Sequence, residues 1–268
     1  MTIKMIAVDM DGTFLNDQKE YNVSRFNKLF SLMQEKNIKF VVASGNQYFQ
    51  LRSFFPILHK SITFVAENGA NIITENEPFY NAELDEEIIL NTLALLENLQ
   101  PTNLIICGKN SAYVSDKISN EAFISAQFYY PKIKKIKNLY DIANEEDAIF
   151  KFALSFDEKN AQENLLHLQN SLKNNLVPVS SGHGDIDLII PGIHKLRGLK
   201  LLAKKWNIKD EEIATFGDSG NDIEMIQQMK HSFAMSNAQQ SIKDAATTII
   251  GSNNSEAVLD TIQSILEV

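Results

Sequence analysis

Val8-Asp9-Met10-Asp11-Gly12-Thr13 follows a single short apolar run, Met5-Ile6-Ala7-Val8, near the start of a 268-residue chain. Two carboxylates at alternate positions stand where a buried strand would end, and Gly12 lets the chain turn sharply. If the strand forms, both carboxylates emerge at its carboxyl end, where open α/β sheets place their ligands. Asp-x-Asp-Gly also occurs in calcium loops, which want further oxygen ligands at short spacing and a glutamate closing a twelve-residue loop. Glu20 would close that loop, but Thr13 and Leu15 are poorly suited to its liganding positions. An ordinary turn is the remaining bland reading of this stretch taken alone.

Working outward, the chain alternates strand and helix. Residues 24–36 carry Phe26, Leu29, Phe30 and Met33 at helical spacing, with Ser24 as the expected N-cap. Residues 38–43 read as a second strand running into Ser44-Gly45-Asn46, and a helix over 47–55 stops at Pro56. A strand over 62–66, the hairpin signal Asn68-Gly69 and a return strand over 70–74 follow. Such alternation predicts a parallel sheet covered by helices.

The rhythm changes near Ala82. Helices over 84–99, 121–129 and 161–172 mix with strands over 103–107, 112–114, 149–156, 176–180 and 186–190. Short glycine-containing loops there suggest antiparallel pairing. The run Lys132-Ile133-Lys134-Lys135-Ile136-Lys137 reads as an edge strand with solvated lysines. After Pro191-Gly192 the first rhythm resumes, with a helix over 195–206 and a strand over 212–216 that leads into Gly217-Asp218-Ser219-Gly220-Asn221-Asp222. The expected architecture is α/β: a doubly wound, Rossmann-like parallel-sheet core from residues 1–81 and 192–268, with an α+β cap inserted over 82–191.

Composition narrows the function. Hydrophobic residues make up 44% and charged residues 22% of the chain, as in ordinary globular proteins. A net charge of −9 argues against nucleic acid as a partner, since such proteins carry a basic footprint. It leaves room for a small phosphorylated ligand held by a local cation. The single cysteine, Cys107, sits in an apolar run and reads as a core residue in a reducing compartment. No run is long and apolar enough to suggest a membrane span, so a cytoplasmic location is expected.

Four distant stretches then fall at strand ends or helix starts of the same core: Asp9/Asp11, Ser44, Lys195, and Asp218 with Asn221 and Asp222. Each has an ordinary reading alone: a turn at Ser44-Gly45, a solvent lysine at 195, an N-cap at Asp218. Together they contain what phosphoryl transfer needs. Carboxylates can hold Mg²⁺, while a lysine, a hydroxyl and turn amides can hold a dianionic phosphoryl group.

These four stretches, in this order, resemble the motifs of the haloacid dehalogenase (HAD) superfamily. The position of the insertion is similar to that of the Cof-type subfamily. Phe14-Leu15-Asn16-Asp17 and the stretches 41–51, 64–70 and 187–195 extend the likeness to broad-specificity bacterial sugar phosphatases of that type. The resemblance implies a Mg²⁺-dependent phosphatase acting on hexose and pentose phosphates through an aspartyl-phosphate. It implies Asp9 as nucleophile and Asp11 as general acid/base. Mg²⁺ would be held by Asp9, the Asp11 carbonyl and Asp218, with Ser219 and Asp222. Met10 (through its amide), Ser44, Gly45, Lys195 and Asn221 would bind phosphate. Candidate sugar contacts are Asn46, Glu67, Asn68, and His183 and Asp185 of the tip 181–185, which is otherwise a plain glycine-rich hairpin. Asn46 stands where many members have arginine. A phosphomutase, a phosphatase for another small metabolite, and a non-catalytic sugar-phosphate sensor are the competing readings.

Overall fold

The computed structural model describes residues 2–172, 175–182 and 184–267. Its first sheet grows from β1 (Met5–Val8), whose four side chains are all buried. Such a strand must sit mid-sheet with both faces covered. The chain passes through α1 (Val23–Glu35), β2 (Lys39–Ala43), α2 (Tyr48–Ser53), β3 (Thr63–Ala66), β4 (Asn71–Thr74) and β5 (Glu77–Asn81). It then leaves for a second sheet and returns much later.

That second sheet is built from α3 (Glu86–Leu99), β6 (Asn103–Gly108), β7 (Ala112–Ser115), α4 (Asn120–Tyr129), β8 (Ile133–Ile136), β9 (Ile149–Ser155), α5 (Ala161–Ser171), β10 (Val177–Gly182) and β11 (Asp185–Ile189). On its return the chain forms α6 (Lys195–Trp206), β12 (Ile213–Gly217), α7 (Ile223–Gln228), β13 (His231–Ala234), α8 (Gln240–Ala245), β14 (Thr248–Ile249) and α9 (Ala257–Glu267).

The first sheet has the order β14-β13-β12-β1-β2-β3-β4-β5. Its strands are parallel from β14 to β3, and β4 and β5 are added antiparallel. Strand order reverses between β1 and β12, so the crevice beyond their carboxyl ends is the natural ligand position. α1 buries Phe26, Leu29, Phe30 and Met33 at i, i+3, i+4 and i+7. Its N-cap is Asn22 rather than Ser24: the Asn22 side chain accepts from the Arg25 amide at 3.0 Å, which starts the helix before Ser24. β5 was not foreseen. The left-handed Glu75-Asn76 pair turns the chain tightly, and Pro78 is tolerated because β5 is an edge strand.

The second sheet has the order β10-β11-β9-β6-β7-β8. It is antiparallel except for β7 and β8, which the crossover through α4 makes parallel. The lysine-rich β8 is an edge, as its alternation predicts. One face packs a core with residues of α3 and α5. On the other, Ile105 and Cys107 pack with Ala126 of α4 and with Tyr130. The rest of that face overhangs the carboxyl ends of the first sheet. Among the described residues no helix is long and apolar enough to cross a membrane.

Candidate active site

Asp9 follows β1, its amide donating to the Phe216 carbonyl at 3.1 Å. Lys195, the first residue of α6, donates from Nζ to Asp9 Oδ1 at 2.7 Å and to Asp222 Oδ1 at 2.6 Å. The helix starts where it does because His194 Nδ1 caps the Arg197 amide at 3.3 Å. Oδ2 of Asp222 accepts from the amides of Asp218 (3.0 Å) and Ser219 (3.1 Å), and so fastens the loop after β12. Thr13 donates to Asp218 Oδ1 at 3.1 Å. Gly12 is required here twice over. Its φ is +75°, and a Cβ would lie 2.5 Å from Asp218 Oδ2.

Asp9, Asp218 and Asp222 bring ligand oxygens within 4.8 Å of one another. Burial raises Asp9 well above the ordinary carboxylate range; Lys195 opposes this, and Asp222 and Asp218 add to it. Burial also pushes Asp218 up to about 7, helped by the charge of Asp222. Three carboxylates, Asp9 and Asp222 buried and Asp218 half-buried, thus face one lysine, and the surplus negative charge calls for a cation. An all-oxygen donor set of this kind fits a hard divalent metal.

Asp11 is gripped on both oxygens. Lys19 Nζ reaches Oδ1 at 2.5 Å, and Asn46 Nδ2 reaches Oδ2 at 2.6 Å. Ser44 Oγ accepts from the Asn46 amide at 3.2 Å. Ser219 Oγ donates to Asn221 Oδ1 (2.9 Å), Asn221 Nδ2 to Asn68 Oδ1 (3.1 Å), and Asn68 Nδ2 to Asp187 Oδ2 (2.6 Å). This chain of bonds joins the loop after β12 to the second sheet.

A cavity of about 360 Å³ lies between the sheets. Asp9, Asp11, Ser44, Gly45, Asn46, Ser219 and Asn221 line its floor, and Asp185 lines its roof. Lys195, Asp218, Asp222 and Met10 support that floor without being among the lining residues. Glu67 and Asn68 are buried behind the wall. Neither oxygen of the Glu67 carboxyl has a hydrogen-bond partner among the described residues, and Oε2 lies 3.6 Å from Lys151 Nζ. Burial pushes its carboxyl up to about 7, with Lys151 opposing. His183 lies outside the described residues. The cavity also takes in Lys19, Tyr129, Tyr130, Lys151 and Asp187, none of which the sequence reading put at the site. Two signals were available. Asp185 and Asp187 alternate onto one face of β11, and Lys151 is a lone charge in the apolar run of β9.

Carboxylates, a buried lysine and a hydroxyl gathered at parallel strand ends define a hydrolase of phosphate monoesters. The chain belongs to the haloacid dehalogenase-like hydrolases, whose family model matches residues 6–262. It is 45% identical, over all of its length and 97% of the relative's, to the 5-amino-6-(5-phospho-D-ribitylamino)uracil phosphatase YbjI of Escherichia coli. It is 25% identical to the pyridoxal phosphate phosphatase YbhA of the same organism, over 99% of this chain and 100% of that protein. The solved structure of SMU.1108c from Streptococcus mutans superposes with a TM-score of 0.94 at 35% identity, covering 100% of both chains.

Proposed function

We propose that this chain is a Mg²⁺-dependent phosphatase acting on phosphate esters of sugars and sugar alcohols through an aspartyl-phosphate on Asp9. The observation that carries the reading is the Asp9–Lys195–Asp222 chain of contacts at the floor of the cavity between the two sheets. Asp9 would attack phosphorus in line, splitting one difficult displacement into two easier ones. Lys195, Ser44, the Gly45 and Met10 amides and Asn221 would hold the phosphoryl oxygens. Asp11, fixed by Lys19 and Asn46, would protonate the leaving oxygen and later take a proton from the attacking water. Asp9, the Asp11 carbonyl and Asp218, with Ser219 and Asp222, would hold the metal, which supplies charge neutralisation at the phosphoryl group. Residues 82–191 would act as a cap that closes over the substrate and excludes water, with Asp185 and Asn46 near the bound sugar.

A second reading narrows the substrate to the phosphorylated ribitylaminouracil for which the 45% identical relative is named. The tyrosines Tyr129 and Tyr130 in the cavity wall favour it, since they could stack on a heterocycle. The test is a panel of metabolites with Mg²⁺, scored by released phosphate: hexose and pentose phosphates, ribitol 5-phosphate, the ribitylaminouracil phosphate and pyridoxal phosphate. Sugar and polyol phosphates should be hydrolysed together. Turnover of the ribitylaminouracil ester alone would select the second reading, and phosphoryl return to sugar without free phosphate would indicate a mutase.

A further inference from the structure

The face of the second sheet that overhangs the site is arranged in cross-strand rows. Register pairs Asn103 and Asp185 with Ser155, and Ile105 and Asp187 with Ala153, while Cys107 and Ile189 flank Lys151. Within these rows Lys151 and Asp187 are charged yet buried, at 2% and 5% exposure, and both line the cavity. Burying two charges is costly unless they are paired, and their 2.8 Å contact pairs them.

Asp187 stands close to the reacting end. A Cβ on Gly45 would lie 3.0 Å from its Oδ2, so the carboxylate overhangs the Ser44-Gly45 turn. Both Lys151 and Asn68 hold that same Oδ2. No hydrogen bond among the described residues falls on Oδ1. The pair therefore offers a fixed acceptor beside the turn proposed to hold phosphate and, in the ammonium of Lys151, a donor 2.8 Å from that acceptor's carboxylate. A hydroxyl donates and accepts at once and fits both, whereas an aryl or methylene carbon fits neither.

We propose that Asp187, held by Lys151 and Asn68, is a specificity-determining residue that accepts a hydrogen bond from the hydroxyl on the carbon next to the phosphorylated one. Among the esters turned over, those with that neighbouring hydroxyl are then preferred. Open-chain polyol phosphates carry it, whereas pyridoxal phosphate and the ring forms of hexose 6-phosphates, whose neighbouring oxygen is the ring ether, do not. This inference rests on the phosphatase reading above.

The experiment compares kcat/KM for ribitol 5-phosphate and its 4-deoxy analogue, with p-nitrophenyl phosphate as a reporter of turnover. Sites built around a substrate hydroxyl discriminate strongly against the analogue that lacks it, because their buried polar groups are left unpaired. The wild-type ratio should be ~10-fold or more, the scale of one charge-assisted hydrogen bond. Asp187→Asn should pull it towards unity. Asp187→Glu keeps the charge opposite Lys151 but displaces the acceptor, so it should shrink the ratio too, and it guards against a fold lost with the ion pair. A wild-type ratio near one, or an unchanged ratio in a folded variant, overturns the proposal. If the wild type releases no phosphate even from p-nitrophenyl phosphate, the phosphatase reading has failed and the proposal falls with it.

Discussion

The floor and the roof of the cavity are built on different principles. On the floor, charged groups sit where parallel strands end, and the loops there tie one to the next: Lys195 to Asp9 and Asp222, and Asp222 to two amides. On the roof, the polar groups sit mid-strand, at alternate positions on one face of an antiparallel sheet. A floor of this kind fixes the geometry of one reaction whatever the leaving group. A roof of this kind can change side chain by side chain without disturbing the sheet. In our reading the floor carries chemistry and the roof carries selection, and the strongest test of that division is to break the floor.

Asp9→Asn removes the attacking charge while leaving Lys195 paired with Asp222, so no ester should be turned over measurably. Removing divalent metal with EDTA should have the same effect on the wild type, and Mg²⁺ should restore it, because three clustered carboxylates against one lysine leave uncompensated charge. Released-phosphate assays on a hexose phosphate and on p-nitrophenyl phosphate suffice for both. Activity that survives either change would remove the floor from the reaction.

Asp11 divides the two regions more finely, since it lies on the floor but in the proposed mechanism would serve the leaving group. Asp11→Asn keeps the main-chain carbonyl and loses the proton donor. A sugar alkoxide needs that proton on departure, whereas a nitrophenolate does not. General acid catalysis is typically worth ~10²–10⁴-fold, so the first turnover should fall by that order for hexose phosphates and only mildly for the aryl ester. Rapid-quench measurement separates this step from dephosphorylation, which Asp11 would also serve as base. Equal losses for both leaving groups would take the acid role from Asp11.

The same contrast explains what was legible in the sequence. Asp9, Ser44, Lys195 and Asp218 each close a strand or open a helix, so a break in hydrophobic pattern announces them. The two-sheet organisation was legible too, because apolar periodicity switches near Ala82 and back near Gly192. Lys151 and Asp187 break no pattern boundary. They are single positions inside strands whose neighbours remain apolar, and only the register of β9 against β11 shows that they share a face. Lys19 was hidden for another reason: a turn lysine eight residues from Asp11 carries no periodic signal, and only the fold swings its ammonium onto the carboxylate. The N-cap at Asn22 was missed because asparagine and serine serve that position about equally well.

The smallest expected effect lies in the seam behind the roof and appears in stability rather than turnover. Glu67 holds a left-handed backbone (φ +50°), is buried, has no hydrogen-bond partner on its carboxyl among the described residues, and has Lys151 at 3.6 Å. Burial raises its folded-state carboxyl to about 7. The folded protein then holds a proton that the unfolded chain releases near the ordinary glutamate value of about 4.3. Stability from this group is complete below that lower value and is lost as pH climbs through 7. Glu67→Gln keeps the shape and has no proton to lose. Asp9 and Asp218, also raised, slope the same way in both proteins, so the difference between them isolates Glu67. Chemical denaturation from pH 5 to 8 should show wild-type stability falling more steeply than that of the variant. The gap should be on the order of 3 kcal/mol across the window, one pKa unit being worth about 1.4 kcal/mol. Parallel curves would mean that Lys151, which also holds Asp187, keeps Glu67 ionised throughout. The seam would then be an ion triad joining turn to sheet, not a neutral acid beside an ion pair.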